Sequence, residues 1–305
     1  MREARLDRTP YSDGAAFVEG RFVPVAEARV PILDWGFLRS DATYDVAHVW
    51  QGGFFRLDDH LDRFARGMER LHMSVAQSRS EIREILVECV RLSGLRDAYV
   101  EVACTRGVPP PGSRDPRECQ NSLFAFAVPF VWIADPEKQE RGLDAAIGRV
   151  QRIQPEAVDP TVKNYHWLDL VAGLYEAYNR GGETAILTDS EDNVVEGPGF
   201  NIFAVKDGNI YTPSRGVLEG ITRRTVIELA SERGMPLEAR AVPAAEVRAA
   251  DEVFVTSTAG GIMPVTKVDG APVGDGAPGP VTLRLRDAYW ELHRDPRFVT
   301  PVRYD

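Results

Sequence analysis

The sequence predicts an α+β fold in two domains. Three observations carry this. The chain has 305 residues, enough for roughly two domains of about 100–200 residues each. Short strand patterns and amphipathic helical patterns mix without the regular βαβ order of a doubly wound sheet. After Phe130 the chain turns polar, around Ala134 to Arg141. That break sets the expected limits: residues 1–134 a small N-terminal α/β domain, 135–143 a linker, and 144–305 a larger, β-rich C-terminal domain.

The first dozen residues read as a loose arm. Phe17 to Pro24 reads as a hairpin with Glu19-Gly20 at its turn. Tyr44 to Trp50 is strand-like, and Gln51-Gly52-Gly53 turns it into a second strand from Phe54 to Leu57. Asp58 or Asp59 is the expected cap of the next helix, because a short carboxylate accepts from first-turn amides. Leu61, Phe64, Met68 and Leu71 recur at helical spacing and form its buried stripe. Ser80 to Leu92 is a second amphipathic helix. Tyr99 to Thr105 and Leu123 to Phe130 are strands, joined by a Gly-, Pro- and Arg-rich loop over residues 107–121. In the second half, strands fit near 144–150, 183–188, 199–205, 209–212 and 252–257. Asp207-Gly208 is a hairpin turn. Helices fit 165–180, 221–233 and 280–293.

Composition narrows the class. Hydrophobic content is 44 % and charged content 27 %, ordinary for a soluble globular chain. A net charge of −10 disfavours nucleic acid and anionic membranes as partners. No apolar run approaches the ~18 residues of a membrane span. The N-terminus lacks the apolar core of a secretory signal, so a reducing cytoplasm is expected. Cys89, Cys104 and Cys119 are widely spaced and form no metal-ligand pattern. Cys89 and Cys104 lie in apolar runs and read as buried small hydrophobes. His48 and His60 read as structural, His72 and His293 as solvated. No metal site is expected.

Four segments carry chemistry. Lys163 precedes Tyr165, His166 and Trp167. A lysine among aromatics loses solvation and offers a nucleophilic amine; the plain alternative is a surface lysine. Glu196 precedes Gly197-Pro198-Gly199, where a backbone can approach a flat ring closely; the alternative is a solvated turn glutamate. Gly220-Ile221-Thr222-Arg223 opens a helix whose N-terminus suits an anion. Thr256-Ser257-Thr258 and Ala259-Gly260-Gly261 add hydroxyl and backbone donors after a strand. Arg63 lies off the apolar stripe of its helix and is either a fixed cation for the anion or part of a solvated face. An amine, a carboxylate, a helix N-terminus and a hydroxyl-rich turn are the parts that hold pyridoxal 5'-phosphate. The carboxylate keeps the pyridine nitrogen protonated.

In this order and spacing the set resembles the fold-type IV pyridoxal-phosphate enzymes. These include branched-chain aminotransferases, D-amino acid aminotransferases, aminodeoxychorismate lyases and (R)-selective amine transaminases. The resemblance runs from Pro31-Ile32-Leu33-Asp34-Trp35 through His60-Leu61-Asp62-Arg63 to the Ala-Gly-Gly turn. It is greatest to the (R)-selective amine transaminases, over Ser40 to Val46, Lys163 to Leu170, Glu196 to Asn201 and Thr258 to Pro264. The branched-chain enzymes usually carry a tyrosine five residues after the lysine, where this chain has Leu168.

The resemblance implies a two-domain fold like that of D-amino acid aminotransferase and a homodimer with active sites near its interface. It implies that Lys163 forms a Schiff base with the cofactor and shuttles the substrate proton. Glu196 pairs with the pyridinium nitrogen, while Arg63, the Ile221 and Thr222 amides and Thr258 hold the phosphate. Tyr44, Val46, Trp167, Gly199, Phe200 and Ala259 line the substrate pocket; core packing is the alternative for Val46 and Phe200. A keto acid's carboxylate meets an arginine of the long loop, Arg114 by its place after Gly112-Ser113, with Arg117 as alternative. Several amine transaminases have a histidine where this chain has Arg39, five residues before Tyr44. An Arg39 facing the pocket favours carboxylate-bearing donors; one facing solvent changes little. The implied activity is amino transfer from an (R)-configured primary amine, and from D-amino acids, to a keto acid such as pyruvate. A branched-chain or D-amino acid aminotransferase, an aminodeoxychorismate lyase and a non-catalytic scaffold are the competing readings.

Overall fold

The computed structural model describes residues 9–305. Most of the expected N-terminal arm lies outside the described residues. The chain divides into two compact units. The first runs up to Val131 and takes in Val162–Tyr165 and Asp295–Asp305; the second holds Trp132–Thr161 and His166–Arg294. This differs from a single cut after residue 134. The chain returns to the first unit twice. At Lys163 a backbone bond ties it to Tyr44. Near the C-terminus, Val299–Pro301 pairs with Gly53–Phe55. One polar break in the sequence cannot announce two crossings. The expected linker at 135–143 is a short helix, Pro136–Arg141, capped by Asp135 and followed by a strand.

The first unit is a seven-stranded antiparallel sheet. Its order is Val299–Pro301, Gly53–Phe55, Ala42–Trp50, Ala98–Thr105, Ser122–Pro129, Ala15–Val18, Arg21–Pro24. Side chains alternate across each strand. Ala47, Val49, Val100, Val102 and Ala125 face the helices Leu57–Arg70 and Arg79–Ser93, whose Leu61, Phe64, Ile82 and Leu86 complete the core. The opposite face carries Tyr44 and Val46 with Ala103. The helix at Leu57 is not capped by Asp58 or Asp59. Its N-cap is Arg56 at φ 52°, with no side-chain cap. The left-handed turn leaves both carboxylates inside the first turn, where the helix dipole favours them. Ser78 and Glu81 form the capping box of the second helix.

The second unit is a nine-stranded mixed sheet. Its main path is Leu237–Arg240, Asn209–Pro213, Phe200–Lys206, Glu252–Ser257, Gly261–Val268, Leu143–Gln151, Thr184–Thr188; Glu196–Gly197 and Ala271–Pro272 pair beside it. Asp207 (φ 48°) and Gly208 (φ 78°) make the expected hairpin turn, both residues left-handed. Ile202, Val253, Val255, Met263 and Val265 form the core. The helix Leu168–Asn179 packs on the Leu143–Gln151 and Thr184–Thr188 strands, and Ile221–Glu232 and Pro280–Glu291 pack on the Glu252–Ser257 strand. Three short helices escaped the sequence reading: Trp35–Arg39, Pro136–Arg141 and Ala244–Arg248. Each is too short to show a helical period.

Cys89 and Cys104 are buried, and burial pushes both thiols up to about 12. His48 and His60 are buried and His72 is exposed. His293 is not solvated: it packs on Tyr289 and Trp290, and burial lowers its pKa to about 4. Among the described residues, no helix is long and apolar enough to cross a membrane.

Candidate active site

Lys163 sits on the outer face of the first unit's sheet. Its carbonyl accepts from Tyr44 N at 3.0 Å and from Thr43 Oγ1 at 2.9 Å. Those two bonds pin the backbone beside the Ala42–Trp50 strand. The side chain then crosses Tyr44, with Nζ 4.4 Å from the ring centroid. Tyr165 stacks on the same ring at 4.3 Å and 4°. Its hydroxyl donates to Glu101 Oε1 at 2.6 Å, and Tyr99 donates to Glu101 Oε2 at 3.0 Å. Burial raises the Glu101 carboxyl above its ordinary range, against the opposing pull of the two phenols and Lys163. Burial and the Glu101 charge push both phenols up as well. Lys163 is therefore set among aromatics, as expected.

Arg63 is buried, which removes the solvated-face alternative. Its Nε and Nη2 donate to Asp45 at 2.7 and 2.9 Å, and His60 Nδ1 lies 2.7 Å from the same carboxylate. Burial opposes the Asp45 charge, but Arg63 and His60 outweigh it and hold the carboxyl well below the usual range. Burial also lowers His60. The pairing fixes the guanidinium fork in one orientation, as an anion contact requires.

In the second unit Glu196 is buried at the edge of the Phe200–Lys206 strand. Its Oε1 accepts from Arg152 Nε at 3.0 Å and its Oε2 from Leu218 N at 3.0 Å. Arg152 Nη1 donates to Asp169 Oδ2 at 2.6 Å, and Ile153 N donates to the same oxygen at 2.8 Å. Burial opposes the Arg152 charge, yet Glu196 and Asp169 raise its pKa. Glu196 is thus an oriented anion, not a solvated turn residue.

The helix Ile221–Glu232 begins at Gly220, which has no side-chain cap. Its first amides, Ile221 and Thr222, lack intrahelical acceptors by geometry. A Cβ on Gly220 would fall 2.1 Å from Asn201 Oδ1. Asn201 is held in place by Nδ2 donating to Leu218 O at 2.9 Å, and it pairs in register with Thr256. Thr256 Oγ1 is buried with no hydrogen-bond partner among the described residues. A hydroxyl left so calls for an outside acceptor or water. These donors, the glycine at the helix start and the oriented Glu196 carboxylate fit the cofactor. Ser257 Oγ donates to Gly199 O at 2.8 Å and accepts from Ala259 N at 3.1 Å, so Thr258 lies in a braced turn.

The pocket residues divide. Val46 joins Tyr44, Ala103, Tyr99 and Tyr165 in one cluster. Gly199 is left-handed at φ 82°, and a Cβ there would meet Trp167 Cη2 at 3.5 Å; Ala259 is tied to it through Ser257. Phe200 is 4 % exposed and packs in the second unit's core, the packing alternative rather than a pocket wall. Arg39 is exposed, with its guanidinium 3.4 Å from the Trp35 ring centroid. Arg114 is exposed. Arg117 is held by Asp115 through Nε and Nη2. The sequence reading missed Asp45, Glu101, Arg152 and Asp169. A lone carboxylate inside an apolar strand pattern, as in Tyr99-Val100-Glu101-Val102, was the available signal for the first two.

The family described as Amino-transferase class IV matches residues 42–268. A branched-chain-amino-acid aminotransferase of Pseudomonas aeruginosa is 32 % identical over 293 residues, covering 92 % of this chain and 93 % of its own length. A D-alanine aminotransferase of Bacillus licheniformis is 32 % identical over 272 residues, covering 88 % and 93 %. The crystal structure of a branched-chain amino acid aminotransferase from Thermobaculum terrenum in its PLP form superposes with a TM-score of 0.86 at 29 % identity, over 96 % of this chain and 99 % of that one. The chain belongs to the class IV aminotransferases, enzymes of fold type IV that move an amino group between a donor and a keto acid with pyridoxal 5'-phosphate.

Proposed function

We propose that this aminotransferase takes (R)-configured primary amines, alongside D-amino acids, and passes their amino group to a keto acid such as pyruvate. The observation that carries the reading is the apolar, aromatic surface beside Lys163. The Tyr44–Tyr165 stack, Val46 and Ala103 offer a substituent dispersion and burial. That suits an aryl or alkyl group better than a carboxylate. Leu168 in place of the tyrosine common in branched-chain enzymes agrees. The D-alanine aminotransferase relative supports D-amino acids as further donors.

Bound pyridoxal phosphate supplies an electron sink for charge left on the substrate carbon. The protein's own groups do the rest. Lys163 Nζ would hold the cofactor at its aldehyde carbon and would move the substrate's proton. Glu196 would hold the ring nitrogen protonated, and Arg152, itself bonded to Asp169, fixes its orientation. Arg63, the Ile221 and Thr222 amides and Thr258 would hold the phosphate. Tyr44, Val46, Trp167, Gly199 and Ala259 shape the donor's surroundings.

The test compares both enantiomers of 1-phenylethylamine with pyruvate as acceptor. Alanine formation faster with the (R) form supports the reading; faster (S) turnover, or no alanine, overturns it. A homodimer belongs to the same proposal. Val30, Ile32, Leu33, Phe37 and Leu38 expose large apolar side chains within one short segment, a patch of the kind that a second copy covers. Light scattering should give twice the 33.8 kDa chain mass; a monomer at micromolar concentration would contradict it.

A further inference from the structure

The Glu101 carboxyl lies inside the aromatic cluster around Lys163. It projects from the Ala98–Thr105 strand, opposite Val46 on one neighbour and Phe126 on the other. It is 8 % exposed. Both oxygens are taken by phenols, Tyr165 on Oε1 and Tyr99 on Oε2. No arginine is among its hydrogen-bond partners in the described residues. The charged groups that act on it are Lys163, which favours its charge, and Asp45, which opposes it. Two phenol donors hold the carboxyl in one place, and the Tyr44–Tyr165 stack links that place to the amine.

We infer that Glu101 is a specificity-determining residue: its fixed carboxyl turns a donor's carboxylate away from this sheet face, so that this side of Lys163 takes an uncharged substituent. The inference deepens the proposed function and rests on its placement of Lys163 at the reacting centre. The physics is like-charge repulsion in a partly desolvated setting. There it is not screened as it would be in water. Placing a like charge beside a partner is a recognised way to reject a ligand. Val46 and Ala103, on the same face, offer a donor carboxylate no compensating hydrogen bond. An aryl or alkyl group meets apolar walls and pays no such penalty.

The test is Glu101→Gln in the holoenzyme. Glutamine keeps the shape, and its amide can still bond both tyrosines. Single-turnover loss of the visible cofactor band is followed with (R)-1-phenylethylamine and with D-alanine in separate runs, without acceptor. Glu101→Gln should raise the ratio of D-alanine to amine efficiency about tenfold, through tighter apparent D-alanine binding at unchanged maximal rate. The amine value should stay within threefold. A D-alanine signal in the variant that the wild type lacks counts as the expected gain. Tyr99→Phe removes one phenol donor but keeps the charge, and should leave the ratio within twofold. An unchanged ratio in Glu101→Gln, a parallel loss for both donors, or an equal shift in Tyr99→Phe overturns the inference. Failure of the wild type with every (R)-amine would sink the amine reading alone, because the D-alanine arm would still report the effect of Glu101.

Discussion

Removing Arg152 should cost more than any surface ion pair in this molecule. Arg152→Met keeps the length and apolar stem but leaves Glu196 and Asp169 without their shared cation. Both carboxylates have side chains only 9 % exposed. Breaking a buried pair by deleting one partner costs about 3–5 kcal/mol. Here the stranded acids retain some support. Glu196 keeps the Leu218 amide at 3.0 Å, and Asp169 keeps the amides of Ile153 and Leu170, each at 2.8 Å. Those bonds place the expected loss near the lower end, at about 3 kcal/mol, or roughly a hundredfold in the folding constant. Urea unfolding at pH 7.5, read as a shift in midpoint at constant slope, measures it. Cofactor affinity should fall alongside, since an unanchored Glu196 holds its ring partner less well. Arg117→Ala, which deletes an exposed pair with Asp115, should leave the midpoint unmoved. A loss below about 1 kcal/mol for Arg152→Met would refute the argument that Arg152 neutralises two buried carboxylates.

Two further outcomes follow from the first unit. Lys163→Ala should abolish turnover and the visible band of the lysine-linked cofactor while phosphate-site binding persists; a retained band would remove Lys163 from its role. Acid should destabilise this unit in two stages. His60, lowered from 6.5, stays neutral in the fold while the unfolded chain takes up a proton, so stability is lost as pH falls below 6.5. Asp45, held below 3.8, adds stability that is present above that value and lost as pH falls through its folded pKa. Glu101, raised above 4.5, works in the opposite sense and loses stability as pH rises through its folded value. Urea midpoints at pH 7.5, 5.5 and 2.5 should therefore fall in the wild type. Asp45→Asn should flatten the lowest step, and an unaltered step would contradict the assignment.

Much of this was legible in the sequence because the parts are local. The hairpin at Glu19-Gly20, the Leu61–Phe64 stripe and the Asp207-Gly208 turn declare themselves within a few residues. Lys163 and Glu196 stood out by the aromatic and glycine-rich company they keep. What escaped depends on distant partners. Asp45 reads as an ordinary strand aspartate until His60 and Arg63, fifteen and eighteen residues on, turn toward it. Arg152 reads as one more surface arginine until Asp169 and Glu196 meet at its guanidinium. Phe200 belongs to a matching motif, but motif membership says nothing about which face of a strand a ring occupies. Strand register sends Tyr44 outward and Asp45 inward, so adjacent residues in one motif serve different ends.

A transaminase must accept a keto acid after releasing its donor, and that acceptor brings a carboxylate. If Glu101 turns carboxylates away on its own face, the acceptor's charge needs a cation supplied from elsewhere. Arg117 is a poor candidate, because Asp115 already takes its Nε and Nη2. Arg114 is exposed on the same long loop and is the better choice. Arg114→Ala should weaken keto-acid binding by one to two powers of ten, the effect of losing a hydrogen bond between charged groups worth about 1.5–3 kcal/mol. The half-reaction with (R)-1-phenylethylamine should change less than twofold, because that donor has no carboxylate to lose contact with. Arg117→Ala should do little to either. An acceptor defect confined to Arg117→Ala would transfer the role. An equal fall in both half-reactions for Arg114→Ala would reduce the loop to a structural part and leave the acceptor's carboxylate without its proposed partner.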